Sequence, residues 1–164
     1  MNINITHRPA AVLTGISIRT SNQRELSGEG EIPSLWERYF QSGQQSRTDL
    51  IHPHLLYALY TDYESDVNGE YTLLLGHEQD HLLSAEDTAG TVYIPEADYI
   101  KFTTEKGPMG QVVPQLWQEI WDYFQDLEYE RTYTGDFELY DLRDFNPEEV
   151  SVDIYMAVRK PSIL

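Results

Sequence analysis

Among the residues whose type and setting could do chemistry, Glu138 stands first. It lies in Asp136-Phe137-Glu138-Leu139-Tyr140, where polar and apolar residues alternate. Successive side chains of a strand point to opposite faces. Phe137 and Leu139 therefore share one face, and Asp136, Glu138 and Tyr140 share the other. A carboxylate in mid-sheet among tyrosines is either a buried acid, a cleft acid, or an exposed glutamate on an ordinary strand. If buried, it needs a partner or a raised pKa. A cationic ligand could be that partner, with Tyr and Trp faces adding cation–π attraction.

Other candidates are weaker. His77-Glu78-Gln79-Asp80-His81 matches H-E-x-x-H, a pattern that holds zinc only when both histidines share one helical face. Here Glu70–Gly76 reads as a strand after a hairpin turn, so the histidines are expected as exposed polar residues at a strand exit, with no metal. His52-Pro53-His54 reads as a surface loop, and Glu148-Glu149 as a solvated acid pair. The chain has no G-x-S-x-G, no phosphate-cradling loop, no Rossmann glycine pattern and no cysteine. No catalytic residue and no cofactor are assigned on these grounds.

The elements that position Glu138 come from a repeat. Ile32-Pro33-Ser34-Leu35-Trp36 is followed, 81 residues later, by Val113-Pro114-Gln115-Leu116-Trp117. Each is a β-branched residue, a proline suited to a first helical turn, and Leu-Trp opening an apolar stripe. At the same offset Leu55–Tyr60 falls on Asp136–Asp141, pairing Tyr57 with Glu138, and Tyr71–Leu75 falls on Val152–Met156. Spacing near half the chain length points to duplication.

Each half reads strand, helix, strand, strand: strands over 11–20, 55–62 and 70–78, then 91–104, 132–141 and 151–159, with helices over 33–42 and 113–127. Gly43 stops the first helix and Asp66-Val67-Asn68-Gly69 turns the hairpin. In the second helix Leu116, Ile120, Phe124 and Leu127 form the stripe, with Trp117 and Trp121 beside it. Residues 21–31 and 44–53 read as loops and 79–90 as a linker. The expected class is α+β, one domain over 1–164 with halves of about 1–82 and 83–164, forming one antiparallel sheet under two main helices.

Composition narrows the function. Lys plus Arg number 11 against 28 Asp plus Glu, a net charge of −17. That field repels nucleic acid and attracts cations. The 12 tyrosines and 3 tryptophans among 164 residues supply broad faces with polar handles. No apolar run approaches a membrane span. Met1-Asn2-Ile3-Asn4 lacks signal-peptide character, and the absence of cysteine fits a cytoplasmic protein.

Several motifs carry a resemblance: Tyr57-Ala58-Leu59-Tyr60, Glu70-Tyr71 leading to Gly76-His77-Glu78, Ile94-Pro95 with Tyr99 and Phe102, Trp117, and above all Tyr133-Thr134-Gly135-Asp136-Phe137-Glu138-Leu139-Tyr140-Asp141. Over nearly the whole length the chain resembles the GyrI-like small-molecule-binding domain, in its stand-alone, integron-associated effector-binding form. That form is similar to the effector domains of AraC- and MerR-type multidrug regulators.

The resemblance implies two strand-helix-strand-strand modules related by pseudo-two-fold symmetry. It also implies a groove where they meet, with aromatic walls and an acid that recognises lipophilic cations. By motif position that acid is Glu138, and Trp36, Tyr57, Tyr99, Trp117, Trp121 and Tyr140 are expected as the walls. The sequence holds no helix-turn-helix, so direct DNA binding is not expected. Relatives that hydrolyse electrophiles, or that inhibit gyrase by contact, leave two alternatives open: a hydrolase using Glu138 with Tyr57 or Tyr99, and a module with a protein partner.

Overall fold

A computed structural model describes residues 4–42, 50–65, 69–79, 91–126, 129–143 and 145–159. Within them the chain runs β1 (Asn4–Arg8), β2 (Ala11–Ser21), α1 (Asn22–Leu26), α2 (Ile32–Ser42), β3 (Leu55–Thr61) and β4 (Glu70–Glu78). It continues through β5 (Thr91–Ile94), β6 (Ala97–Thr103), α3 (Met109–Tyr123) with a 3-10 turn at Phe124–Asp126, β7 (Glu130–Arg131), β8 (Asp136–Asp141) and β9 (Asp153–Arg159). Gly43, Asp66-Val67-Asn68, the boundary between the halves and Leu127 fall outside the described residues.

The strands form one antiparallel sheet in the order β1-β6-β9-β8-β3-β4-β2-β5, with β7 added on β9. Read outward from the β8/β3 seam, β9 matches β4, β6 matches β2, and β1 matches β5. This is the pseudo-two-fold arrangement of an α+β duplication. The outermost strands are exchanged: β1 pairs with β6 of the second half, and β5 with β2 of the first.

Only Pro9 and Ala10 separate β1 from β2, and only Pro95 and Glu96 separate β5 from β6. Arg8 and Ala11 can then be at most about 11 Å apart, although their strands lie at opposite ends of the order. The sheet is curled until its ends meet. Gly15 faces Gly76 across β2 and β4, where a Cβ on Gly15 would lie 2.0 Å from the Leu75 carbonyl oxygen. Paired glycines of this kind permit a tight bend.

Alternation divides the core. Leu13, Tyr57, Leu59, Leu74, Tyr99 and Phe137 meet on the face around which the sheet curls. The opposite face carries the helices. Under α2, Leu35 and Tyr39 pack with Leu56, Ala58, Leu73 and Leu75. Under α3, Leu116 and Ile120 pack with Ile100, Phe102, Ile154 and Met156. Each fully buried Leu or Ile contributes about 2 kcal/mol of transfer free energy, so the leucine-rich β3 and β4 are held on both sides.

Several expectations are revised. The second helix begins at Met109 rather than Val113, with Pro108 at its N-cap. Pro114 thus stands in the second turn and removes the bond that would run back to Gly110. The expected strand over 132–141 is interrupted, because Tyr133 has φ +56° and Gly135 φ +150°, outside the extended region. The strand over 91–104 divides at Pro95. The loop over 21–31 contains α1, capped by Ser21.

Candidate functional site

The helices sit over different strands, α2 on β2 and β4 and α3 on β6. The central seam of β3 and β8 is left between them. There a cavity of about 810 Å3 opens, with Trp36 from α2, Trp117 and Trp121 from α3, and Tyr60, Glu138 and Tyr140 from the seam strands among its walls. The β3–β8 register places Ala58 opposite Glu138, Tyr60 opposite Asp136 and Leu56 opposite Tyr140. Directly opposed residues share a face. Ala58 packs under α2, while Tyr60 reaches Glu138 with its hydroxyl.

Glu138 is 4 % exposed. Its Oε2 accepts from Trp117 Nε1 at 2.7 Å and from the Tyr60 hydroxyl at 3.0 Å, and its Oε1 accepts from the Tyr140 hydroxyl at 2.5 Å. All three donors are neutral. Burial pushes the carboxyl pKa up, and the donors from Tyr140, Trp117 and Tyr60 pull it partly back. Burial, reinforced by the nearby carboxylate, raises both phenols well above the usual tyrosine range, so they stay protonated as donors.

The aromatic walls are braced by each other. The Trp117 and Trp121 rings lie 6.2 Å apart one helical turn on, and Tyr60 meets Trp117 edge-on at 5.2 Å. On the other side Trp36 meets Tyr140 edge-on at 5.1 Å. The two tryptophans of α3 flank the buried Leu116–Ile120 stripe, so one helix both packs on the sheet and lines the cavity.

Asp136 offers a contrast two residues away. It is fully buried and accepts from Arg131 Nη2 at 2.9 Å, the Tyr63 hydroxyl at 2.5 Å and the Ala157 amide at 2.8 Å. This acid has a cation of its own, whereas Glu138 has only neutral donors among the described residues.

Of the residues expected at the site, the structure brings together Glu138, Trp36, Trp117, Trp121 and Tyr140. Tyr57 and Tyr99 do not join them. Tyr57 pairs with Leu139, and Tyr99 packs with Phe137 on the opposite face of the sheet. They line instead a small hollow of about 90 Å3 beside Arg8, whose guanidinium donates to the Tyr57 hydroxyl at 3.1 Å. The offset of 81 set by the helices is one residue too long for this strand pair, and a one-residue slip flips every side chain to the other face. An offset shorter by one carries Tyr57 onto Phe137 and Leu59 onto Leu139, all on the same face. A hydrolase with Tyr57 or Tyr99 assisting Glu138 loses its geometry for the same reason.

Tyr60, Tyr63, Tyr71 and Arg131 also line the cavity and were not singled out from the sequence. Correct strand parity would have found Tyr60, which lies two residues from Ala58.

His77 lies in β4 and is fully buried rather than exposed. Its Nε2 meets the Tyr39 hydroxyl at 2.5 Å, and its Nδ1 meets the Leu55 carbonyl at 2.8 Å. Asp80 and His81 lie outside the described residues.

A curled, duplicated antiparallel sheet that flanks an aromatic, acid-floored cavity with one long helix from each half defines an effector-binding domain of the GyrI-like type. Residues 4–158 match the family model described as integron-associated effector binding protein, and the chain belongs to that family.

YobU of Bacillus subtilis (strain 168), which carries a transcriptional-regulator name, is 34% identical over 158 residues, covering 96% of this chain and 98% of its own. The crystal structure of the Vibrio cholerae integron cassette protein VCH_CASS2 is similar at 31% identity with a TM-score of 0.75, covering 96% of this chain and 95% of that one. The structure of SAV2435 bound to tetraphenylphosphonium shares the fold at 20% identity with a TM-score of 0.75, covering 97% and 94%.

Proposed function

We propose that this effector-binding protein takes up an amphipathic organic cation, which lies between Trp36 and the Trp117–Trp121 pair with its charge against Glu138. The observation that carries the reading is a buried carboxylate with no cationic partner among the described residues, on the floor of a cavity walled by aromatic rings. Three neutral donors hold that carboxylate in place without cancelling its charge. A cation would complete the site electrostatically, and the tryptophan and tyrosine faces would stabilise it further. The volume suits a ligand of drug-like size. That SAV2435, a protein of this fold, holds tetraphenylphosphonium supports the reading.

The test is Glu138→Gln, measured by titration calorimetry with two probes of equal shape, an aryl trimethylammonium and its neutral tert-butyl isostere. The substitution is expected to weaken the cation by about ten- to a hundredfold, the scale of a charge-assisted contact, and to leave the isostere nearly unchanged. Equal losses for both probes would refute the charge role. In the unsubstituted protein, affinity for the cation should rise with pH through the raised Glu138 pKa and be accompanied by proton release, because only the ionised carboxylate complements the cation.

A further inference from the structure

Tyr71 stands on the wall of the same cavity and is 4% exposed. Its ring lies 5.4 Å from that of Tyr60, whose hydroxyl holds Glu138, and 6.3 Å from that of Tyr63. Among the described residues the Tyr71 hydroxyl makes no hydrogen bond. It is not sealed in, since the enclosed polar side-chain atoms without a partner are Gln79 Oε1 and Arg131 Nε. An unpaired phenol oxygen is thus open to the cavity, next to the tyrosine that braces the buried acid.

Two carboxylates set the polarity around it. Glu25 lines the cavity from α1, where its Oε2 accepts from the Thr20 hydroxyl at 2.5 Å and the Glu31 amide at 3.0 Å, and its Oε1 accepts from the Ile32 amide at 3.1 Å. Burial raises the Tyr71 phenol well above the usual tyrosine range, and the charges of Glu25 and Glu138 raise it further. The hydroxyl therefore stays protonated and sits in the negative field of both acids. A ligand acceptor oxygen would be repelled there, whereas a ligand N–H would be drawn to the phenol oxygen. Glu138 points the same way. Its three donors fill three of the roughly four acceptor positions of a carboxylate, which leaves one on Oε1.

We propose that Tyr71 selects among cations: its hydroxyl oxygen accepts an N–H from the ligand that Glu138 holds, so the preferred class is an aryl amidinium or guanidinium rather than a quaternary ammonium. This rests on the cation-binding reading of the cavity. A fully alkylated cation would strip water from the Tyr71 hydroxyl and leave it unpaired, a penalty that an N–H donor avoids.

The experiment compares a biphenyl amidinium with its fully N-methylated form, which keeps the charge and has no N–H. Titration calorimetry is run on the unsubstituted protein and on Tyr71→Phe. The affinity ratio of amidinium to methylated probe should fall about tenfold in Tyr71→Phe, the scale of a lost hydrogen bond to a charged group. Taking the ratio within each protein cancels the difference in size between the probes. Glu138→Gln should weaken both probes.

The Tyr71 ring also packs in the core under α2, so a reading that needs no substitution accompanies the variant. The Tyr71 Cζ carbon resonance of the unsubstituted protein should move further with the amidinium than with the methylated probe. An affinity ratio unchanged by Tyr71→Phe, or a Cζ resonance that responds alike to both probes, overturns the Tyr71 role and leaves the cation reading intact. If neither probe binds, or if Glu138→Gln spares both, the cation reading falls and the Tyr71 role with it.

Discussion

Asp136 and Glu138 are buried acids two residues apart on one strand face, and they differ in what surrounds them. Asp136 is matched by Arg131. Asp136→Asn would leave a buried guanidinium without its counter-charge, and should cost about 3–5 kcal/mol in urea unfolding. Glu138→Gln should behave differently. An amide at that position keeps an oxygen for Trp117 and Tyr60, and its nitrogen can donate to the Tyr140 oxygen once that hydroxyl turns. The Glu138 pKa is raised in the folded state. Its favourable contribution is therefore full below the unfolded carboxylate value, about 4.3, and is lost as pH rises through the folded value. The substituted protein should gain stability over the original as pH rises from about 4 through the raised Glu138 value in the absence of ligand. Unfolding curves at several pH values would show this, and a gap that ignores pH would contradict it.

At the level of elements, the bend between β2 and β4 depends on Gly15 and Gly76. A Cβ on Gly76 would lie 2.3 Å from the Thr14 carbonyl oxygen. Gly76→Ala must push the strands apart and should cost a few kcal/mol, within the roughly 1–3 kcal/mol typical of overpacking, as read from the thermal midpoint. Element identity was largely legible in the sequence where side-chain period is strong. β4 falls on Glu70–Glu78 as expected, α2 starts one residue before its proline, and the β8 alternation separates Glu138 from Phe137. Register was not legible. A repeat measured on helices, with a period near 3.6, cannot settle the parity of a strand, whose period is 2, and Tyr57 was assigned to the wrong face for that reason. Nor could local pattern reveal β1, whose partner β6 is remote in sequence, or Arg131, whose place depends on the left-handed turn at Tyr133. Local spacing shows which residues alternate, whereas the cavity arises from which strands become neighbours.

For the whole molecule, the net charge of −17 creates a field that gathers cations before any contact is made. Raising ionic strength from about 0.02 M to 0.5 M contracts its reach to a few ångströms. Association of the trimethylammonium probe should then slow by about tenfold in stopped-flow fluorescence, with dissociation little altered, because the Glu138 contact is buried and weakly screened. The neutral isostere should show no such dependence. Among the described residues no helix is long and apolar enough to cross a membrane. The exchange of outer strands between halves has a further consequence for biosynthesis. β1 pairs with β6, Asn4 opposite Lys101, so β1 stays without its sheet partner until residues about a hundred positions later have been translated. Neither half can finish its own sheet, and the cavity between α2 and α3 can close only once the strands of the second half have been made.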